Sequence, residues 1–189
     1  MSSRSTESKP APALRTSCWF NSEKNLTLDD FKGRVVALIA FQMLCPGCVA
    51  RSIPLALRLE HIFDRSELAV VGLHTVFEHH QVMTPAALEV FLAEYRIGFP
   101  VGVDMSDPSG GEVPLTMQAY ELRGTPTLVL IDAEGRKRAQ FFGTHDELLI
   151  GARIGALLEE RDEPRAPRID KKATSDVGGC GNDQCEVPP

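Results

Sequence analysis

Apolar positions fall along this chain in unbroken runs and in periodic ones, and their alternation predicts the elements. Val35 to Phe41 (VVALIAF) and Leu68 to Thr75 (LAVVGLHT) are near-continuous, the pattern of strands covered on both faces. Between them Ile53, Leu55, Leu57, Leu59, Ile62 and Phe63 mark a helix over 46–63, which Pro54 should kink by removing one hydrogen bond. Thr84-Pro85 opens an amphipathic helix that turns Leu88, Phe91, Leu92 and Tyr95 to one side. Phe99 to Val103 reads as a short strand, 107–111 as a loop, 114–122 as a short helix, and 127–132 with 136–142 as a hairpin. A closing helix over 145–160 would carry Leu148, Leu149, Ile154, Leu157 and Leu158 inward. Residues 26–32 read as a short helix or turn. Residues 1–17 read as a disordered leader, 18–160 as one domain of order β-α-β-α-β-α-β-β-α, and 161–189 as a flexible tail whose polar composition cannot bury a core.

The first long strand hands over to its helix through Gln42-Met43-Leu44-Cys45-Pro46-Gly47-Cys48. With Cys45 as the helix N-cap, Pro46 takes the first helical position, where its fixed φ fits and its missing N–H costs nothing. Cys48 is then the third helical residue, and its N–H points back at the Cys45 sulfur, where the positive end of the helix dipole also favours thiolate. Only a thiolate attacks a disulfide, so Cys45 is the candidate nucleophile and Cys48 the residue that resolves the mixed disulfide. A zinc-binding Cys-x-x-Cys pair would follow short hairpin strands; the long apolar strand and the helix after it favour redox chemistry.

Arg123-Gly124-Thr125-Pro126-Thr127, followed by the strand Leu128 to Asp132 and a turn at Glu134-Gly135, supplies a second motif. Together with Cys-Pro-Gly-Cys it resembles the thioredoxin-like superfamily, over about Cys18 to Glu160, and the opening Trp19-Phe20-Asn21 with Leu26 to Gly33 looks like its redoxin and TlpA-type branch. The resemblance implies an α/β thioredoxin-like fold, a central mixed β-sheet flanked by helices, between flexible N- and C-terminal tails. It also implies a thiol–disulfide oxidoreductase that needs no cofactor and no metal, with a cis Pro126 facing the dithiol and Thr125 pairing its backbone with substrate. The 81 positions from Cys45 to Pro126 exceed what a minimal thioredoxin needs, so an added strand, helix and loop are expected. Leu44 stands where such proteins usually have Trp, Ile39 replaces a buried acid, and Arg51 replaces a glutamate of the TlpA-type branch. Arg51 is a candidate to tune the thiolate, set against a surface arginine without a role. Trp19 is a candidate to pack beside the dithiol in place of the missing neighbour. A peroxiredoxin-like peroxidase is the rival within the superfamily, but Gln42 and Leu38 stand where its Pro-x-x-x-Thr-x-x-Cys site needs Thr and Pro.

Composition narrows the partners. A net charge of −6 argues against nucleic acid and anionic membrane surfaces, leaving a protein or small-molecule disulfide and an external thiol reductant as expected partners. Met1 to Pro12 has no apolar run and no segment reaches the roughly 18 apolar residues of a spanning helix, so a cytoplasmic location, and with it the reductive direction, is expected. There five cysteines read as catalytic or metal-binding rather than as a disulfide framework. The tail carries a second pair, Cys180 and Cys185. About 25 flexible residues span roughly 25–30 Å, enough to reach the active site, so the pair is a candidate redox relay; a metal-binding or redox-sensing module using both pairs, or two idle thiols, are the alternatives. Cys18 is assigned no role. His74, His79 and His80 read as loop or hydrogen-bonded edge residues rather than metal ligands.

Overall fold

A computed structural model describes residues 9–162 of the chain. Six strands form one mixed sheet: β1 (Thr16–Phe20), β2 (Val35–Phe41), β3 (Leu68–His74), β4 (Val101–Asp104), β5 (Thr127–Ile131) and β6 (Lys137–Phe142), in the order β1-β4-β3-β2-β5-β6. β2 runs parallel to β3 and β3 to β4, while β1, β5 and β6 join antiparallel. The helices are α1 (Ile53–Ile62), α2 (Pro85–Glu94), α3 (Leu115–Ala119) and α4 (Glu147–Asp162), with a 3-10 turn at Leu28–Phe31.

All seven residues of β2 are buried, because the sheet is covered on both faces. Val35, Ala37, Ile39 and Phe41 meet Ile53, Ala56 and Leu59 of α1, Leu88 and Leu92 of α2, and Ile150, Ile154 and Leu157 of α4. The alternate residues Val36, Leu38 and Ala40 meet Phe31, Met117, Tyr120 and Leu122 on the other face. Thr84 caps α2, its hydroxyl accepting from Ala87 N–H at 3.2 Å. Among the described residues no helix is long and apolar enough to cross a membrane.

Three expectations are corrected, for residues 9–17, α4 and Trp19, and the helix at Pro54 takes a specific form. Residues 9–17 are bound into the fold rather than disordered: Ala11 N–H donates to Gly135 O at 2.8 Å, the Tyr120 hydroxyl donates to Pro12 O at 2.7 Å, and Thr16 opens the edge strand β1. Pro54 follows a π turn over Cys48–Ser52, which accommodates the hydrogen bond it cannot make. Lacking an N–H, proline cannot bond to the carbonyl four residues back, and the helix widens just before it, with Ser52 Oγ donating to Cys48 O at 3.3 Å. In α4 the inward stripe is Ile150, Ile154 and Leu157; Leu148 is 84% exposed and Leu149 45%, since a 100° step per residue carries both away from Ile154. Trp19 does not reach the dithiol. It packs over Gly102, two strands from β2 and on the opposite face from Cys48, where a Cβ at Gly102 would lie 3.1 Å from its ring.

Asp104, at the end of β4, is buried and accepts from Thr116 N–H (2.8 Å), Met117 N–H (3.0 Å) and the Thr75 hydroxyl (2.9 Å), tying α3 and the end of β3 to the sheet. Burial pushes its carboxyl pKa up, against the hydrogen bonds that hold the carboxylate.

Candidate active site

At the C-terminal end of β2 the chain turns through Gln42–Leu44, Cys45 N–H donating to Gln42 O at 3.3 Å, and enters the helix at Pro46. Cys45 O accepts from Cys48 N–H at 3.0 Å and from Val49 N–H at 3.1 Å, so Cys45 occupies the N-cap. The Cys48 N–H also lies 3.3 Å from Cys45 Sγ, aimed at the sulfur where a thiolate would accept it. Cys45 is partly exposed beside Leu44, which is 59% exposed, whereas Cys48 is fully buried. All three cysteines of the described residues are free thiols.

Thr125 and Pro126 stand across the same turn. The Thr125–Pro126 peptide is cis, Cys45 Sγ lies 3.5 Å from Thr125 O as its thiol donor, and a Cβ placed on Gly47 would be 3.3 Å from Pro126 Cδ. Glycine at 47 therefore permits the close approach of helix and proline. The loop before Pro126 is held by Thr127 Oγ1 donating to Gly124 O at 2.7 Å and by the Arg123 guanidinium over the Phe142 ring at 5.3 Å.

The two thiols differ in environment. Burial first, then the neighbouring Cys45 side chain, pushes the Cys48 thiol up to about 12, with Gln42 backbone and Thr125 side-chain hydrogen bonds acting the other way. Cys48 therefore holds its proton at neutral pH, and Cys45 is left as the partly exposed sulfur of the pair, beside Thr125. Ile39, on the β2 face that packs against Cys48, supplies no carboxylate to take that proton.

Gln42 enters the sequence reading only as a residue that fails a peroxidase pattern, yet it is buried and structural here. With its amide oriented by the surrounding network, its nitrogen donates to Glu78 Oε1 at 3.1 Å and its oxygen accepts from Phe77 N–H at 3.2 Å, tying the loop after β3 to the reactive turn. No local pattern signals such a contact across 35 residues. Arg51 is exposed on the π turn, its side chain has no ion pair or hydrogen bond to any described residue, and it lines a cavity beside Pro126. His79 and His80 are exposed in the loop after β3, and His74 is fully buried in a central strand, not at an edge, with neither ring nitrogen bonded to a described residue. Among the described residues no three His, Cys, Asp or Glu side chains converge to hold a metal ion. Cys180 and Cys185 lie outside the described residues.

No protein-family model matches the chain, and no curated protein matches it. Solved structures do. One, a thioredoxin-like superfamily protein, is 55% identical with a TM-score of 0.77, over 79% of this chain and 96% of that one. A thiol-disulfide isomerase from Corynebacterium glutamicum is 46% identical with a TM-score of 0.74, over 78% of this chain and 96% of that one. A protein assigned as thiol:disulfide interchange protein DsbE from Chlorobium tepidum is 25% identical with a TM-score of 0.63, over 80% and 96%.

Proposed function

The chain belongs to the thioredoxin-like superfamily, and we propose that it is a thiol–disulfide oxidoreductase in which Cys45 attacks and Cys48 resolves. The observation that carries this reading is the Cys48 N–H aimed at Cys45 Sγ, 3.3 Å away, with that sulfur partly exposed and 3.5 Å from Thr125 O beside the cis Pro126. The Cys45 thiolate attacks one sulfur of a substrate disulfide, forming a mixed disulfide and releasing the other half as a thiolate. Cys48 then loses its proton, attacks Cys45 Sγ and releases the second half. Two electrons pass to the substrate, and an external dithiol restores the Cys45–Cys48 pair. In this scheme the burial that keeps Cys48 protonated prevents it from competing for substrate, and the Gln42 backbone and Thr125 favour its thiolate once the attack begins. Thr125 offers its backbone to an extended substrate beside Pro126.

The proposal includes the reductive direction, a cytoplasmic setting, and a relay in which Cys180 and Cys185 exchange with the Cys45–Cys48 pair; these rest on composition and on the sequence of the tail. Insulin-disulfide reduction with dithiothreitol tests the core of it. Acceleration by catalytic amounts of the protein is expected, and a rate equal to dithiothreitol alone would overturn the reading.

The Gly47–Pro126 approach gives a finer test. In Gly47→Ala the added Cβ lies 3.3 Å from Pro126 Cδ and 4.0 Å from Cys45 Sγ, so it presses the helix start against the proline beside the sulfur while favouring the helix by about 0.5–1 kcal/mol. Thermal stability should change little, the helix gain being offset by the tight contact with the proline ring, while kcat/KM for insulin falls about fivefold. Unchanged kcat/KM would mean that the Gly47–Pro126 contact does not shape the approach of substrate to Cys45.

A further inference from the structure

Behind Pro126, between α1, the β5–β6 hairpin and the start of α4, lies a cavity of about 550 Å³, within the range that holds a small organic ligand. Its floor is apolar, made by Ile39, Leu55, Leu128 and Phe141. Pro126 walls one side, and the preceding residue carries the carbonyl 3.5 Å from Cys45 Sγ. Adjacent residues of this loop therefore touch the reactive sulfur and the cavity, although Cys45 itself does not line the cavity.

Four ionisable side chains stand at its rim: Arg51, His145, Asp146 and Glu147. Three are engaged. Glu147 pairs with Arg58. Asp146 Oδ1 accepts from Leu148 N–H at 2.8 Å and Leu149 N–H at 3.3 Å at the head of α4. His145 Nε2 lies 2.9 Å from Phe142 O, and its ring meets Phe141 edge-on at 5.1 Å. Arg51 alone of the four makes no hydrogen bond or ion pair with any described residue. A guanidinium free of partners over an apolar floor matches a planar carboxylate on a short methylene chain, which it can hold through two parallel N–H donors.

We propose that this cavity binds the carboxylate arm of a low-molecular-weight disulfide: Arg51 holds the carboxylate, the apolar floor takes the methylenes, and the S–S bond is presented to Cys45. This names a substrate class for the oxidoreductase reading and rests on that reading. The Cys45 thiolate displaces one mercaptocarboxylate as its thiolate. Cys48, giving its proton to solvent, displaces the second, so the substrate gains two electrons and the enzyme becomes the Cys45–Cys48 disulfide, which an external dithiol reduces.

The test uses prereduced full-length protein in single turnovers with dithiodiglycolate and with bis(2-hydroxyethyl) disulfide, which are similar in length and differ in charge. The ratio of their second-order rate constants should fall about tenfold in Arg51→Gln and recover in part in Arg51→Lys. A ratio the same in wild type and Arg51→Gln overturns the proposal, because a field of Arg51 acting on Cys45 would alter both rates alike. Adipate has the shape of dithiodiglycolate and cannot exchange. It should bind the Cys45→Ser protein, read by NMR shifts of the cavity methyls, and lose that binding when Arg51→Gln is added; no binding also overturns the proposal. If adipate binds through Arg51 while neither disulfide oxidises the wild type, the carboxylate site stands and the oxidoreductase reading falls.

Discussion

Replacing Cys45 by Ser is expected to lower catalysed insulin reduction by at least about a thousandfold, because the hydroxyl left in its place is neither ionised at neutral pH nor able to form the mixed disulfide. The complementary variant, Cys48→Ser with Cys180 and Cys185 also replaced by Ser, should stop one step later. It keeps the attacking sulfur, the Thr125 carbonyl 3.5 Å from it and the backbone N–H at residue 48, and loses the buried thiol. Protein quenched after mixing with substrate disulfide should carry one substrate half on Cys45, read as a mass increase that dithiothreitol removes. Restoring Cys180 and Cys185 in that background probes the relay: disappearance of the adduct, with a Cys45-to-tail disulfide in its place, supports exchange with the tail. An adduct on Cys48 in Cys45→Ser that turns over at the wild-type rate would reverse the assignment of the two thiols.

Acidification from pH 6.5 to 4 should cost the fold up to about 3 kcal/mol through His74 alone. This side chain is fully buried, with its ring against Phe41 at 5.4 Å and neither nitrogen bonded to a described residue. Burial pushes its pKa down from 6.5 to about 4. Between those values the unfolded chain binds a proton that the native state refuses, so the contribution is intact above pH 6.5 and is lost progressively as pH falls toward 4. Urea unfolding of wild type and His74→Leu across pH 7 to 4.5 reads the difference. The variant should be at least as stable at pH 7, since it removes an unbonded polar group from the core, and should show a shallower decline below pH 6.5. Other carboxylates, such as Asp30, held at about 2 by Lys24 and Thr27, contribute equally to both proteins. Parallel declines would exclude His74 as the source of acid sensitivity.

His74 also shows where reading the chain reached its limit. An imidazole at the end of an apolar run looks like an edge or loop residue, because only the sheet order places β3 between β2 and β4 and aligns His74 with Phe41 on one side and Val103 on the other. The edge strand β1 went unread for a related reason. Five residues of mixed character have no distinctive period, and their strand conformation depends on pairing with β4 and on Gly102 leaving room for the Trp19 ring. In α4, the apolar pattern assigns Leu148 and Leu149 to the inward face because apolar residues without a packing partner look like any others; the contacts of Ile150, Ile154 and Leu157 select the stripe.

The elements with strong local signatures needed no such help. Two unbroken apolar runs became the buried strands β2 and β3, Thr84-Pro85 capped a helix, and Cys-Pro-Gly-Cys placed a cysteine at a helix start with the next one's N–H aimed at its sulfur. These follow from backbone preferences, caps and periodicity within a few residues, which the order of amino acids determines directly. Contacts between distant segments were decided by the tertiary structure: the approach of Thr125 and Pro126 to Cys45, which the sequence carries only through its family resemblance, Gln42 joined to Glu78, the burial that separates Cys48 from Cys45, and the cavity in which the Arg51 side chain has no partner among the described residues. Each depends on which faces of the sheet are covered and by what, and burial, desolvation and close approach are properties of that packing rather than of any short stretch of chain.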